Sequence, residues 1–246
     1  MSVVELRPRR GAGPLDGDAL AARYPRNLDP TLRLNFVTSI DGAATIDGFS
    51  AGLSGPADKL IFGTLRMVCD ALVVAAGTIR TENYNALRLD AGRRAWRRDH
   101  GLPEFPLMVV VSRSLDLDPQ QEIFSDAPIR PMVVTHAGAP ADRRAAIGKV
   151  AEVVTAGDED VDPAAAIAEL HRRGATQLLS EGGPQLLGTL TAADLIDEFC
   201  LTVSPLLTGG GAARIAAGSE VPPRAMSLRH VLSGDDMLFL RYVRRI

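Results

Sequence analysis

The run Ser180-Glu181-Gly182-Gly183-Pro184-Gln185 carries the clearest chemistry in the chain. Two adjacent glycines let a ligand approach the backbone. A helix opening near Pro184 would turn unpaired N–H groups and the positive end of its dipole toward an anion. A phosphate or diphosphate suits such a place, and Glu181 sets a carboxylate beside it. A bare Gly-Gly pair is more often a tight strand-to-helix turn. No G-x-G-x-x-G follows the first expected strand and no G-x-x-x-x-G-K-[ST] occurs, so neither a standard Rossmann fingerprint nor a P-loop is supported. Gly209-Gly210-Gly211 lacks the P-loop lysine and reads as a turn. Gly77-Thr78 repeats the first device, a glycine after an apolar run and then a hydroxyl placed to cap Ile79-Arg80-Thr81-Glu82. Two such helix starts on neighbouring strand ends suit a dinucleotide diphosphate better than either alone.

Two more polar junctions close apolar runs, Ser39-Ile40-Asp41-Gly42 and Ser112-Arg113. Asp58, in Pro56-Ala57-Asp58, reads first as an acid complementing the dipole of a helix start. If it faces a pocket, a pterin or folate becomes a credible substrate. The cluster Arg93, Arg94, Trp96, Arg97 and Arg98 reads as solvated surface, with a possible use in bracketing an anionic substrate. The four histidines show no metal spacing and no nucleophile motif, and Cys69 and Cys200 lie in apolar stretches without C-x-x-C, so no metal site is expected.

These junctions need a scaffold, and the chain is long and apolar enough to build one: 246 residues, 46% hydrophobic and 23% charged. A net charge of −3 gives no case for gripping nucleic acid or an anionic membrane. No apolar run approaches the roughly 20 residues that span a bilayer, and no signal-like segment opens the chain, so a soluble cytoplasmic protein is expected. Residues 1–30 lack periodicity and read as an extension that either packs across the domain or stays mobile, with one domain over 31–246. Strands are expected from Thr31, at 71–76, 107–111, 131–135, 149–154 and 177–180. Helices are expected at 56–69, at 163–173 behind the cap Asp162, and from Pro184. Alternating runs at 195–204, 226–232 and 237–243 finish the chain, the last two joined by Ser233-Gly234-Asp235-Asp236. The class is α/β, a mostly parallel mixed sheet flanked by helices with an antiparallel C-terminal edge. In open α/β sheets ligands sit outside the carboxyl ends of strands, where the four junctions lie.

The ordered set Ser39-Ile40-Asp41-Gly42, Gly77-Thr78 with a polar run to Leu87-Arg88, and Glu181-Gly182-Gly183-Pro184 before Leu195-Ile196-Asp197-Glu198 resembles the reductase domain of bifunctional riboflavin-biosynthesis proteins. The resemblance runs from about residue 31 to the C-terminus. It implies a three-layer, dihydrofolate reductase-like fold. It also implies an NADPH-dependent reduction of 5-amino-6-(5-phosphoribosylamino)uracil or a close analogue, with hydride adding at the sugar C1. For the cofactor it implies Thr78, Glu82 and the turn Gly183, Pro184, Gln185, Leu186 and Leu187, with Leu53, Gly77 and Gly182 beside them. Ser112 and Arg113 would stand near the adenosine 2′-phosphate.

For the substrate the resemblance implies Ser50, Arg66, Arg88 and Glu181, with Glu181 on the pyrimidine edge and the two arginines on the sugar phosphate. Asp41 and Glu181 are the carboxylates on offer for proton transfer. A homodimer through the C-terminal strands is implied as well. The chain departs from the family at Glu82-Asn83-Tyr84, where Asp-Asp-Pro is usual, and it has no deaminase motif. Two other readings keep the fold. One is a dihydrofolate or pterin reductase anchored by Arg66 and Asp58; the other is a non-catalytic NADPH-binding protein.

Overall fold

The computed structural model describes residues 4–7, 13–82 and 84–245. Its ten strands are β1 (Val4–Arg7), β2 (Thr31–Ser39), β3 (Ala71–Ala75), β4 (Leu107–Val111), β5 (Met132–Thr135), β6 (Glu152–Thr155), β7 (Gln177–Ser180), β8 (Glu198–Ser204), β9 (Met226–Gly234) and β10 (Met237–Arg244). Its helices are α1 (Gly17–Ala21), α2 (Pro56–Val68), α3 (Ala76–Thr81), α4 (Ala91–Asp99), α5 (Glu122–Ser125), α6 (Ala141–Ile147), α7 (Pro163–Arg172) and α8 (Pro184–Ala192). A short 3-10 turn spans Ser50–Leu53.

The strands form one sheet in the order β1-β9-β10-β8-β2-β7-β3-β4-β5-β6. From β8 through β2 to β6 the pairs are parallel, and β8, β10, β9 and β1 pair antiparallel. The central strands are buried on both faces, as parallel strands between helix layers must be. One apolar core joins Leu20, Ile61, Leu65, Val74, Val110, Ile123, Ile147 and Phe239 beneath α1, α2, α5 and α6. A second joins Val73, Val109, Val134, Ile167, Leu170, Leu187 and Leu190 beneath α7 and α8. Three layers result.

Local chemistry sets the element ends. Pro56 opens α2, whose Ala57, Ile61, Leu65 and Val68 lie on one buried stripe. Asp162 caps α7 by accepting from the Ala164 and Ala165 amides at 2.8 and 3.1 Å. Gly174 leaves that helix at φ +88°. Asp235 and Asp236 both hold positive φ, the geometry of a two-residue hairpin turn between β9 and β10.

One alternative is decided and two expectations are corrected. Residues 1–30 pack across the domain where described and are not left loose, because β1 pairs with β9 and α1 packs on α2 with Leu20 and Tyr24 buried. A four-residue strand and a five-residue helix are too short to show a period. The strand expected at 149–154 begins at Glu152, since Val150 and Ala151 donate back to the Ile147 carbonyl and prolong the turn after α6. Finally, the arginine-rich segment is a helix, α4, and Arg97 is fully buried, donating to the carbonyls of Pro103, Met67 and Cys69.

Candidate active site

Neighbouring strands β2, β7, β3 and β4 end side by side, and a cleft of about 840 Å³ opens beyond their carboxyl ends. β2 supplies Asn35, Phe36 and Val37. β3 runs into Gly77, Thr78, Arg80 and Thr81, β4 into Ser112, Arg113 and Ser114, and β7 into Glu181, Gly183, Pro184 and Gln185. The helix α2 and the 3-10 turn close the other end with Ser50, Ser54, Asp58, Lys59 and Phe62.

One end of the cleft is built for an anion. No side chain caps α8, so the N–H groups of its first turn are left for a ligand. Gly182 holds φ +85°, and a Cβ there would lie 2.7 Å from the Phe36 ring; one on Gly183 would lie 2.6 Å from Thr78 Oγ1. Both positions therefore need glycine. Thr78 is not the cap of its helix, since α3 begins at Ala76 and has no side-chain cap; its hydroxyl instead faces the glycine turn. Ser112 Oγ accepts from the Leu115 amide at 3.0 Å and fixes the turn that presents Arg113. Arg113 is largely exposed, 3.6 Å from Asp160. Leu186 lines a smaller apolar cavity of about 220 Å³ that shares Ala75, Val111, Arg113 and Gln185 with the cleft.

The other end holds two buried carboxylates. Glu181 meets Arg66 with two hydrogen bonds, Nε to Oε1 at 2.9 Å and Nη2 to Oε2 at 2.6 Å, and Tyr84 Oη also donates to Oε2. Arg66 Nη2 reaches Tyr84 Oη at 2.8 Å, and the Phe62 ring lies 3.9 Å from the guanidinium carbon. Burial works against the Arg66 charge, but Glu181 and Tyr84 more than offset it and hold its pKa above the ordinary range. Burial, and then Glu181, push the Tyr84 phenol well up, so it stays a donor. Asp58 accepts from Ser54 Oγ at 2.6 Å and Thr202 Oγ1 at 2.7 Å. It sits in the first turn of α2 and also lines the cleft, so both readings of its position hold. Glu82 accepts from the Ser50 amide at 2.9 Å, tying the 3-10 turn to the end of α3.

Several expected site residues lie elsewhere. Asp41 is exposed and accepts from Ser39 Oγ and from the Gly209 amide at 2.7 Å. The Ser39 bond and then the Gly209 amide hold its pKa well below the carboxylate range. It staples the turn after β2 to the loop 205–225 and does not line the cleft. Arg88 pairs with Asp126 at 2.6 and 2.9 Å on the exposed surface, outside the cleft. Leu53 and Leu187 are buried in the core and Gly182 contributes only backbone, its carbonyl accepting from the Ala75 amide. Arg66 is taken up by Glu181 rather than left for a phosphate. Asn83 lies outside the described residues.

Among the cleft residues that escaped the sequence reading are Asn35, Lys59, Tyr84 and Ile215. Tyr84 alone left a trace, an aromatic in a polar run. Ile215 comes from the irregular segment 205–225, pinned where Ala44 donates to the Ala213 carbonyl and Ala217 to the Pro184 carbonyl, both at 3.0 Å. Gly188 makes that contact possible, because a Cβ there would lie 1.8 Å from the Ala217 oxygen.

A parallel-sheet α/β protein with a ligand cleft across four strand ends defines a broad class, within which comparison with known proteins is specific. The family described as the RibD C-terminal domain matches residues 30–239, and the chain belongs to it. It is 30% identical over 184 residues, 74% of this chain and 84% of the relative, to a 2,5-diamino-6-ribosylamino-4(3H)-pyrimidinone 5′-phosphate reductase of Archaeoglobus fulgidus. It is 29% identical to the reductase of the same name from Methanothermobacter thermautotrophicus, over 86% of this chain and 97% of that one. A pyrimidine reductase-like protein of Corynebacterium diphtheriae superposes with a TM-score of 0.81 at 28% identity, covering 88% of this chain and 92% of that one. A riboflavin biosynthesis reductase of Saccharomyces cerevisiae shares the fold, with a TM-score of 0.66 at 16% identity over 92% and 98% of the two chains. The expected three-layer reductase fold is thereby borne out.

Proposed function

We propose that the chain is a reductase that uses NADPH to reduce the ribosyl carbon of a phosphorylated ribosylaminopyrimidine in riboflavin biosynthesis. The observation that carries this reading is the division of one cleft into an anion-binding end and a carboxylate end. Membership of the reductase family supports it. The bound nicotinamide supplies a hydride, and everything else is done by residues that bind and orient.

Thr78, the Gly183 turn and the first turn of α8 hold the cofactor diphosphate, as uncapped helical N–H groups suit an anion. Arg113, with Ser112 and Ser114 beside it, takes a phosphate on the adenosine, which is the argument for NADPH over NADH. The apolar cavity behind Arg113 takes the adenine ring. At the far end Glu181 and Asp58 hold the pyrimidine, and Ser50 lines the same wall. Lys59, exposed on the rim without a carboxylate partner among the described residues, takes the sugar phosphate in place of Arg88. Glu181 lines the cleft and Asp41 does not, so the proton transfer is assigned to Glu181. Held together by these contacts, the two reactants approach in a fixed orientation, which is the main contribution such a protein makes to hydride transfer.

The deciding experiment follows loss of reduced nicotinamide absorbance with the ribosylaminopyrimidine phosphate and, in parallel, with dihydrofolate. A far higher kcat/KM for the pyrimidine is expected. Preference for dihydrofolate would transfer the site to a pterin, with Asp58 as its anchor. NADPH binding without turnover of either would leave a binding protein on the same fold.

A further inference from the structure

Arg80, in the last turn of α3, puts a second guanidinium in the wall of the cleft with Arg113 and Ser114. Its Nη1 donates to the Asp116 carbonyl at 2.8 Å, on the loop that carries Arg113, and this bond anchors the head. The Nε and Nη2 edge of a guanidinium is a fork that fits two oxygens of one carboxylate or phosphate. On Arg80 that edge has no partner among the described residues, and Arg113 donates no hydrogen bond among them. Each arginine has a carboxylate near it, Asp160 at 3.6 Å from Arg113 and Asp116 at 3.9 Å from Arg80, and both lie beyond hydrogen-bonding reach. These pairs are exposed and screened by solvent, so they leave the two heads available to a stronger anion.

Resting on the NADPH-reductase reading, we propose that Arg80 grips the phosphate on the cofactor's adenosine together with Arg113, and so sets the preference for NADPH over NADH. A phosphate monoester carries roughly 1.5 to 2 negative charges near pH 7 and three acceptor oxygens. One guanidinium neutralises part of that charge, and one fork engages two of those oxygens. The open fork of Arg80 takes up the remainder. NADH has a hydroxyl in that place, which gains little from a second cation. The anchor on Asp116 adds to the effect, because a head already fixed through Nη1 loses little freedom when Nε and Nη2 close on the phosphate. Arg143 clamps the same loop from outside the cleft, donating to the Ser114 carbonyl at 3.1 Å.

The test measures dissociation constants of NADPH and NADH, and of 2′,5′-ADP and 5′-AMP as probes that differ only in the 2′-phosphate. Arg80→Met is expected to weaken NADPH and 2′,5′-ADP about tenfold and to leave NADH and 5′-AMP unchanged. Arg80→Lys keeps the charge without the fork and is expected to recover only part of the loss. The KM for the ribosylaminopyrimidine phosphate is expected to stay as it is; a raised KM with NADPH affinity intact would put Arg80 on the substrate's phosphate and overturn the proposal. Because Arg80 also anchors the loop of Arg113, the same change is made in an Arg113→Met background. A grip of its own still lowers the ratio of NADPH to NADH affinity there, whereas no further loss, or an equal loss for both nucleotides, makes Arg80 a mere support of the loop and overturns the proposal. Arg143→Met removes the other clamp without removing a cleft guanidinium and is expected to leave the ratio alone; a fall as large as that of Arg80→Met would count against the grip in the same way. A wild type that binds NADPH and NADH alike overturns the proposal while leaving a reductase. One that binds neither overturns the reductase reading, and the proposal with it.

Discussion

The sugar phosphate is proposed to go to Lys59, where the family resemblance implies Arg88. Arg88 is paired with Asp126 on the surface outside the cleft. Lys59 carries no motif, but the first turn of α2 delivers it to the rim of the substrate end. The change Lys59→Met is therefore expected to raise the substrate KM about tenfold, the loss of one charge-assisted hydrogen bond, and to leave the affinity for NADPH unchanged. Steady-state kinetics with equilibrium binding of the cofactor checks both halves. Glu181, Gly183 and Thr78 were legible because their chemistry is local: a glycine pair, a proline and a hydroxyl announce a turn and a helix start. What Glu181 touches was not legible. Arg66 and Tyr84 reach it only after three separate elements pack, and the tie of Asp41 to Gly209 was not legible either, because the fold brings the two together.

Elements with a strong period or a sharp boundary were read nearly to the residue, β3, β4, β7, α2 and α7 among them. The four junctions singled out by polarity lie at the ends of β2, β3, β4 and β7, which the sheet makes neighbours. That adjacency was only a rule about strand ends until the order was known. The missed elements share a cause. α4 has no apolar stripe, since its buried face is the stem and head of Arg97, and the 205–225 segment has no period at all. That segment nevertheless shapes the site, being clamped onto α8 where Gly188 has no side chain. Gly188→Ala forces either α8 or the segment to move. It is expected to weaken NADPH binding and to expose residues 205–225 to limited proteolysis, and peptide mapping of the first cuts locates the effect.

Charge buried away from the cleft governs how the whole molecule answers to acid. Glu198 is held between Arg33 and Arg241 at 2.6 to 3.0 Å. Burial alone would raise its pKa, but Arg241 and then Arg33 bring it down to about 2. Nearby, His230 lies edge-on to Tyr24 with Nε2 buried and unpartnered; burial, then Arg241, lower its pKa to about 3. Between pH 6.5 and 3 the unfolded chain binds a proton at His230 that the folded chain refuses, so stability falls as pH falls through that window. Glu198 adds to the loss below its ordinary value of 4.5, down to about 2. Thermal melts across this range are expected to show the decline, and His230→Phe is expected to flatten its upper part.

On the opposite face of the same strands, Leu201, Val203, Val231, Leu238, Leu240 and Tyr242 belong to neither core, and the cross-strand pairs Leu238–Val203 and Leu240–Leu201 make an apolar stripe. This is the surface through which a homodimer is proposed to form. Sedimentation equilibrium is expected to give a dimer for the wild type and a monomer for Leu238→Arg.

The first strand gives the sheet something besides area. β9 would otherwise end the sheet with a nine-residue row of unpaired amides and carbonyls next to that apolar stripe, and β1 covers part of that row. At the far end β6 has only four residues and carries Glu152, paired with Arg173. One border is thus short and charged, while the other depends on a few residues near the start of the chain. Trimming those residues would leave the cleft untouched, yet it would uncover a template on which further chains could stack strand by strand into aggregates.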